Sequence, residues 1–386
     1  MQILFWISLT VLFYTYVGYG LLLFLLSVFI KRKKINPNDF HPAVTLIVPA
    51  YNEELFIEKK IQNSLSLNYP RGKITYLFVT DGSTDKTVEI IQQYKQIVLL
   101  HEEKRRGKTA AINKAMEAVH TPVVVFTDAN ALLHEDSLLK IVRHYADAKV
   151  GGVSGEKKIL DKEDSAVSLG ERIYWQYESL LKKAEAKFYT VIGAAGELYS
   201  IRTNLFQTVP EDVILDDFVI SARVCQQGYR FVYEQKAYAV ETSSATIHDE
   251  RLRKIRIGAG NFQALFLLKP LLNPFKNFRL TFQYISHKVL RWTLCPILLP
   301  VLLVTNAVLV LTQNHIGYNV FFFGQTGFYL LAFLGWLFAG KQHPLKLFLL
   351  PYYFVFMNLS LYIGFYRFVT KKQSVFWKKA RRKSFF

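Results

Sequence analysis

The sequence predicts an α/β domain joined to a membrane by long apolar helices. Between residues 43 and 127, short apolar strands alternate with helical segments, which is typical of a parallel sheet with helices on both faces. The chain of 386 residues is 51% hydrophobic and 15% aromatic, more than a soluble enzyme needs. The excess lies in four nearly uncharged stretches, each long enough to cross a bilayer. They are residues 3–30, 294–312, 318–339 and 346–366.

The basic residues predict a membrane as the partner of this chain. A formal net charge of +18 first suggests nucleic acid, but the positive residues flank the apolar stretches. Lys31–Lys34 follow the first stretch, and seven basic residues between Lys371 and Lys383 follow the last. This pattern suits anionic lipid headgroups, so we expect membrane lipids and no nucleic acid. Cys225 and Cys295 suggest neither a disulfide framework nor a zinc site.

The first apolar stretch is interpreted as a retained anchor, residues 1–30. It is too long for a signal-peptide core, and Lys31–Lys34 follow it instead of a small-residue cleavage site. We therefore expect an integral protein of a bacterial inner membrane with its α/β domain in the cytoplasm. Three further crossings within residues 289–369 would place the basic tail, residues 370–386, outside. A re-entrant segment, a deeper course for Gly258–Phe275, or a tail that breaks the rule would each resolve that conflict.

The elements between the anchor and the later spans follow from local patterns. Strands are predicted at 43–50, 73–80, 123–127 and 230–233, and helices at 85–94, 107–119, 162–187 and 216–228. A helix is also expected to open at Tyr51-Asn52-Glu53-Glu54. We assign residues 40–250 to the α/β domain and 251–288 to amphipathic helices lying on the membrane. Trp292 is interpreted as a headgroup-level anchor, with Arg291 snorkelling beside it.

Acidic residues follow two of the predicted strands. Asp81 opens Asp81-Gly82-Ser83-Thr84-Asp85, and Asp128 opens Asp128-Ala129-Asn130. Ligands of open α/β sheets bind at the carboxyl ends of strands, so both carboxylates are candidates for nucleotide or metal contacts. Asn130 adds an amide oxygen, a weaker ligand for a hard cation than a second carboxylate. For Asp81 the alternative is a turn-capping role.

A second set of charged residues predicts proton transfer and diphosphate binding. Adjacent carboxylates at Asp216 and Asp217 repel, which raises the pKa of one and suits a general base. The alternative is a solvated helix start. Arg253 and Arg256 share one helical face and suit either a diphosphate or lipid headgroups. Lys108 is either a phosphate contact or a surface lysine.

In this order the motifs resemble family 2 glycosyltransferases, the GT-A (Rossmann-like) enzymes related to cellulose, chitin and hyaluronan synthases and to ceramide glucosyltransferase. The resemblance covers roughly residues 42–290. It implies Asp217 as catalytic base with Asp216 before it, an acceptor-side loop with Gly193, Gly196 and Glu197, and metal ligation by Asp128 and Asn130. The nucleotide-sugar contacts that it implies are Ala50, Tyr51, Glu53, Asp81, Lys108, Asp128, Arg253 and Arg256.

The activity implied by the resemblance is inverting sugar transfer from a nucleotide sugar, usually a UDP-sugar, with Mg²⁺ or Mn²⁺. A glycan acceptor and extracellular polysaccharide synthesis are expected, with an export protein as a possible partner. The alternatives are single transfer to a membrane lipid and an inactive homologue serving as an assembly subunit. Two departures stand out: Asn130 ends the metal motif, and Ile257 replaces the Trp that lines the acceptor site in polymerising relatives.

Overall fold

The computed structural model describes residues 1–30, 40–160, 166–313, 315–339 and 346–376. The basic cluster Lys31–Lys34, the start of the helix expected at 162–187, and the tail beyond residue 376 lie outside these ranges.

Eight strands form one sheet. They are β1 (Val44–Ala50), β2 (Ile74–Asp81), β3 (Ile97–Glu102), β4 (Val123–Phe126), β5 (Leu132–Leu133), β6 (Val150–Ile159), β7 (Tyr199–Arg202) and β8 (Arg230–Glu241). Their spatial order is β3-β2-β1-β4-β7-β6-β8-β5.

Fourteen α-helices occur in the described part of the chain. They are α1 (Gln2–Phe13), α2 (Tyr19–Val28), α3 (Ile57–Leu65), α4 (Thr87–Gln92), α5 (Lys108–Glu117), α6 (Ser137–Val142), α7 (Ala166–Phe188), α8 (Asp216–Gln226), α9 (Ile247–Leu267), α10 (Phe278–Tyr284), α11 (Leu290–Trp292), α12 (Leu294–Thr312), α13 (Ile316–Phe338) and α14 (Lys346–Val369). Short π-helical turns, Tyr14–Gly18 and Ile285–Val289, join α1 to α2 and α10 to α11.

The sheet is mixed, which corrects the expectation of a parallel sheet. Strands β1 to β4 are parallel to one another. However, β7 runs antiparallel to both β4 and β6, and β5 runs antiparallel to β8. The strand–helix alternation that favours parallel pairing ends at β4. Beyond it, the long helix α7 returns the chain so that β7 enters the sheet from the opposite end.

Local signals located β1, β2, β4 and β8 but not β3, β5, β6 or β7, and they misplaced several element ends. The turn after β1 delays α3 until Ile57, because Asn52 adopts a left-handed conformation with a φ of 52°. β8 continues to Glu241, eight residues beyond the predicted strand that ended at Tyr233. Pro270 lies in a 3₁₀ turn, Lys269–Leu272, that separates α9 from α10. Whether these helices lie on the membrane surface stays a prediction.

Helix α9 packs directly against the last long apolar helix, α14. Gly258 and Gly364 mark the crossing: a Cβ added at Gly364 would lie 2.7 Å from the backbone nitrogen of Ala259, and one at Gly258 would lie 3.1 Å from the carbonyl oxygen of Ser360. Only glycine allows two helix backbones to approach so closely. The catalytic domain is therefore joined to α14 by backbone contact.

Four described helices are long and apolar enough to cross a membrane. They are Gln2–Val28, Leu294–Thr312, Ile316–Phe338 and Leu347–Val369. These coincide with the four stretches found in the sequence, which supports a membrane protein. An anchor before the catalytic domain and three crossings after it stay a prediction.

Candidate active site

The carboxyl ends of β1, β2 and β4 form one edge of a large cavity. Its volume is 1910 Å³, about twice the upper end of ordinary small-molecule sites, roughly 300–1,000 Å³. Every predicted site residue except Gly193 lines it: Ala50, Tyr51, Glu53, Asp81, Lys108, Asp128, Asn130, Gly196, Glu197, Asp216, Asp217, Arg253 and Arg256. Gly193 lies behind the lining with a φ of +91°, where a Cβ would meet the Phe218 ring at 2.4 Å.

Asp81 holds the loop that leads into α5. Its carboxylate accepts hydrogen bonds from the backbone N–H groups of Arg106, at 2.6 Å, and Gly107, at 2.7 Å. Other residues of the same motif make the turn-capping contacts. Ser83 accepts a hydrogen bond from the N–H of Asn52, and Asp85 accepts one from the N–H of Thr87. Asp81 therefore fixes the loop before α5, while the residues after it cap the turn.

An arginine and an aromatic ring close the outer wall of this region. The Arg105 guanidinium lies 3.6 Å from the centroid of the Tyr51 ring and 5.2 Å from that of Phe376. Phe376 comes from the segment after α14, which also brings Val375 against Gly107. The sequence patterns did not single out Arg105, which has no recognisable local motif, and they assigned residues 370–386 only to a basic tail, with no role at the site.

Lys108 is the cationic centre of the aspartate cluster. Its Nζ lies 2.7 Å from Oδ1 of Asp128 and 3.6 Å from Oδ2 of Asp216. Burial opposes its charge, but the carboxylates of Asp128, Asp216 and Asp217 outweigh that effect and raise the pKa of Lys108. The lysine is therefore a buried charge at the centre of the site and not a surface lysine.

The aspartate pair opens α8 inside the cavity. Asp216 is buried, with 4% of its surface exposed, so the alternative of a solvated helix start does not hold. Burial, and then the charge of Asp216, raise the pKa of Asp217 to about 7. Burial also raises the pKa of Asp216, against the attraction of Lys108. A carboxyl group with such a pKa is suited to take a proton near neutral pH.

The acceptor-side loop approaches this cluster through a residue without a side chain. A Cβ at Gly196 would lie 3.1 Å from Oδ2 of Asp217, 3.4 Å from Nζ of Lys108 and 3.6 Å from Oδ2 of Asp128. Glycine at this position therefore leaves the carboxylates open to a ligand.

A buried ion-pair chain connects the acceptor-side loop to the predicted metal motif. Lys157 pairs with both Glu197 and Glu241, and Glu241 accepts a hydrogen bond of 3.0 Å from Nδ2 of Asn130. The side chain of Lys157 is 1% exposed. Lys157 and Glu241 were missed in the sequence, because they lie within strands where alternation does not reveal buried ion pairs.

The two predicted diphosphate arginines differ in their surroundings. Arg253 pairs with Glu171 and Glu250, so two carboxylates balance its charge. Arg256 donates to the carbonyl oxygen of Val375 at 3.3 Å. Burial lowers its pKa, against the attraction of Asp216 and Asp217. Arg256 therefore interacts electrostatically with the Asp216–Asp217 pair, whereas the ion pairs of Arg253 are with Glu171 and Glu250.

The contacts of Trp292 and Arg291 correct the prediction that Trp292 is a headgroup-level anchor with Arg291 snorkelling beside it. The Trp292 ring packs edge-on against Phe218, with centroids 5.1 Å apart, and it lines the cavity. Arg291 pairs with Glu178 of α7 and is largely buried. Burial among these groups, and not snorkelling, accounts for both side chains. The proximity of the apolar stretch α12 had concealed this in the sequence.

Lys60 was also missed. It lies in α3, has no exposed surface, and donates hydrogen bonds to Oγ1 of Thr127 at 2.8 Å and to the carbonyl oxygen of Ala131 at 2.5 Å. Burial lowers the pKa of Lys60 to about 7, against the attraction of Asp128. The only sequence signal was a lysine on the otherwise buried face of an amphipathic helix.

The residues present offer a divalent cation two oxygen ligands. Oδ1 of Asp128 contacts Lys108, leaving Oδ2 on the side of Gly196. The amide nitrogen of Asn130 is turned to Glu241, which leaves its oxygen for another contact. Within the described ranges, no three His, Cys, Asp or Glu side chains are grouped to hold a metal. The site therefore fits Mg²⁺ or Mn²⁺ only together with further ligands from a bound diphosphate or water.

Comparisons with known proteins place part of this chain in a known family. The model of the family described as glycosyl transferase family 2 matches residues 45–208. The poly-beta-1,6-N-acetyl-D-glucosamine synthase of Staphylococcus aureus (strain COL) is 25% identical over 246 residues, which are 61% of this chain and 58% of the synthase. The synthase of the same name from Staphylococcus epidermidis is 22% identical over 315 residues, 77% of this chain and 76% of that one. The match thus spans less than two thirds of the S. aureus protein.

A solved structure shares the fold over nearly the whole chain. The mannosyltransferase PcManGT from Pyrobaculum calidifontis, in complex with GDP-Man and Mn²⁺, aligns with a TM-score of 0.70 at 24% identity, covering 96% of this chain and 99% of that chain. At this identity the likeness shows the fold alone, and together with the family match it confirms the predicted GT-A architecture.

Proposed function

We propose that the protein is a membrane glycosyltransferase that transfers a sugar from a nucleotide sugar to an acceptor hydroxyl. The match of residues 45–208 to the glycosyl transferase family 2 model supports this proposal. The observation that carries the proposal is one cavity that holds Asp81, Asp128 and the Asp216–Asp217 pair together. An inactive assembly subunit would not need a carboxyl group whose pKa is raised to about 7.

In the proposed reaction, Asp217 takes the proton of the acceptor hydroxyl. The acceptor oxygen forms a bond to the anomeric carbon while the bond from that carbon to the diphosphate breaks, and the nucleoside diphosphate leaves. A single displacement of this kind inverts the anomeric centre. Lys108 and Arg256 supply fixed positive charge near the departing group, the electrostatic contribution that is usually largest. In this proposal Arg253 contacts the nucleotide side of the donor, and its ion pairs orient α9.

A divalent cation belongs to the proposal as a cofactor held by Asp128 and Asn130. When bound, it would neutralise charge on the diphosphate. Because only two protein ligands are offered, we expect weak binding of the cation alone and stronger binding with the donor. The structure does not favour Mg²⁺ over Mn²⁺.

We propose that the acceptor approaches from the membrane side. The cavity continues past Trp292 to residues of the predicted spans, including Tyr16, Phe328, Phe354 and Asn358. The names of the staphylococcal relatives support a glycan acceptor in extracellular polysaccharide synthesis, in which an export protein could take part. The lining by spanning helices also favours the second candidate, transfer of one sugar to a membrane lipid.

The decisive experiment presents the purified protein in lipid nanodiscs with radiolabelled UDP-sugars, GDP-mannose and membrane lipids. We expect one donor to give a labelled product with Mg²⁺ or Mn²⁺ and none in excess EDTA. A ladder or smear on a sizing gel supports polymer synthesis, and a single organic-soluble product supports transfer to a lipid. Absence of transfer from every nucleotide sugar would contradict the proposal.

The proposed cytoplasmic placement is tested by cysteine labelling in intact cells. Both native cysteines are buried, so introduced thiols report alone. A membrane-impermeant maleimide should fail to label Lys95→Cys, exposed beside β3, and should label Thr312→Cys, exposed at the end of α12. The reversed pattern would place the catalytic domain on the other side of the membrane.

A further inference from the structure

Helix α3 buries an amino group directly beneath the segment that carries the proposed cation ligands. We call Thr127–Ala131 the metal turn. Lys60 donates to Oγ1 of Thr127 at 2.8 Å and to the carbonyl oxygen of Ala131 at 2.5 Å. It therefore contacts both ends of a segment in which Asp128 and Asn130 are the second and fourth residues.

Packing alone does not explain a lysine at this position. Its neighbours on the same helix face, Ile57 and Ile61, are fully buried, and an aliphatic side chain would fill the space without burying a polar group. Buried lysines normally have a carboxylate partner, yet both hydrogen-bond acceptors of Lys60 are neutral oxygens. Burying an amino group costs free energy that an aliphatic side chain would avoid, and such departures from ordinary core composition are expected at functional sites.

The hydrogen-bond network of Lys60 extends beyond the metal turn to the acceptor-side loop. The hydroxyl of Thr127 accepts from Lys60 and donates to the carbonyl oxygen of Glu197 at 2.8 Å. Within the turn, the N–H of Ala131 donates to the carbonyl oxygen of Asp128 at 3.2 Å. Lys60 thus connects α3, the metal turn and the acceptor-side loop through one hydroxyl group.

We propose that Lys60 is a positioning residue that holds the metal turn in the conformation in which Asp128 and Asn130 present oxygen atoms to a divalent cation bound with the nucleotide diphosphate. The inference rests on the proposed function. Both hydrogen bonds persist in either protonation state, because a neutral amine still carries two N–H groups. The role therefore comes from geometry.

The test replaces Lys60 with methionine, which keeps the length and removes both donors. Loss of a group that orients metal ligands typically weakens metal affinity by about 10–100-fold. We expect a shift of that size in the Mn²⁺ concentration that half-saturates the protein, measured from the EPR signal of free Mn²⁺, first with Mn²⁺ alone and then with UDP or GDP. The Mn²⁺ dependence of turnover should shift in parallel.

Asn63 gives a matched control on the same helix. Its side chain exchanges two hydrogen bonds of 2.8 Å with the backbone of Leu133, just beyond the metal turn. Asn63→Ala should lower thermal stability and leave Mn²⁺ binding unchanged. Thr127→Val is the second test variant, and it should shift Mn²⁺ binding in the same direction as Lys60→Met. The two changes together should shift it by less than their product, because they remove one shared contact.

The outcomes separate this inference from the function on which it rests. If the folded Lys60→Met and Thr127→Val variants bind Mn²⁺ like the wild type, or if Asn63→Ala weakens binding equally, Lys60 has only a structural role. If the wild type shows neither nucleotide-dependent Mn²⁺ binding nor sugar transfer, the proposed function falls as well. A selective shift in the first two variants supports the positioning role.

Discussion

The two halves of the sheet hold their functional groups in different ways. In the donor half, β1 to β4, the groups follow strand ends and are fixed by nearby backbone, as when Asp81 accepts from the N–H groups of Arg106 and Gly107. In the acceptor half, β6 to β8, buried ion pairs join residues far apart in sequence: Lys157 is 40 residues from Glu197 and 84 from Glu241. A functional residue at a strand end can be recognised from the sequence around it. A buried ion pair between residues far apart in the sequence can be recognised only from the folded structure.

The largest expected effect is a loss of turnover when Asp217, the proposed base on the acceptor side, is changed. Asp217→Asn keeps the shape and removes the base, so turnover should fall about 10²–10⁴-fold while nucleotide binding persists. Asp81→Asn in the donor half should instead act mainly on donor affinity, since it loosens the loop at Gly107. Turnover and donor KM measured for both variants test this division. An Asp217→Asn variant with half of the wild-type turnover would show that another group is the base.

A second, smaller effect concerns stability. Lys157→Met removes the cation shared by the buried carboxylates of Glu197 and Glu241 and should lower the free energy of unfolding by about 3–5 kcal/mol. Lys158→Met is the matched control, because that side chain is exposed and lies 3.4 Å over the Tyr238 ring. Adding Glu197→Gln and Glu241→Gln to Lys157→Met should restore part of the loss. Denaturant unfolding in detergent measures all of these, and equal losses for Lys157→Met and Lys158→Met would contradict the role of the ion pairs.

The smallest effect is a shift in pH dependence. Because the pKa of Asp217 is raised to about 7, kcat/KM should fall as the pH drops below about 7, approaching tenfold per pH unit. Asp216→Asn removes a neighbouring negative charge and should move the inflection to lower pH. The raised pKa also implies a stability contribution that is present below the ordinary value of 3.8 and is lost as the pH rises through about 7. An inflection unmoved by Asp216→Asn would show that another group controls the profile.

The same contrast explains what the sequence could predict. Asp81 and Asp128 were recognisable because each ends an apolar strand, and Asp216–Asp217 because the pair opens a helix after a loop. The antiparallel entry of β7 was not recognisable, since no local pattern encodes strand direction. Lys60 and Lys157 were missed for a related reason: their partners are 67 and 84 residues away. Trp292 was misplaced because an apolar stretch follows it directly.

The glycine crossing of α9 and α14 has a practical consequence for work on this enzyme. Arg253 and Arg256 lie on a helix whose backbone touches a predicted membrane span at Gly258 and Gly364. Cutting the chain before α12 to obtain a soluble fragment would strip one wall from the catalytic cleft and expose the glycine face of α9 to water. We therefore expect a displacement of α14 to be transmitted through this contact to the helix that carries Arg253 and Arg256.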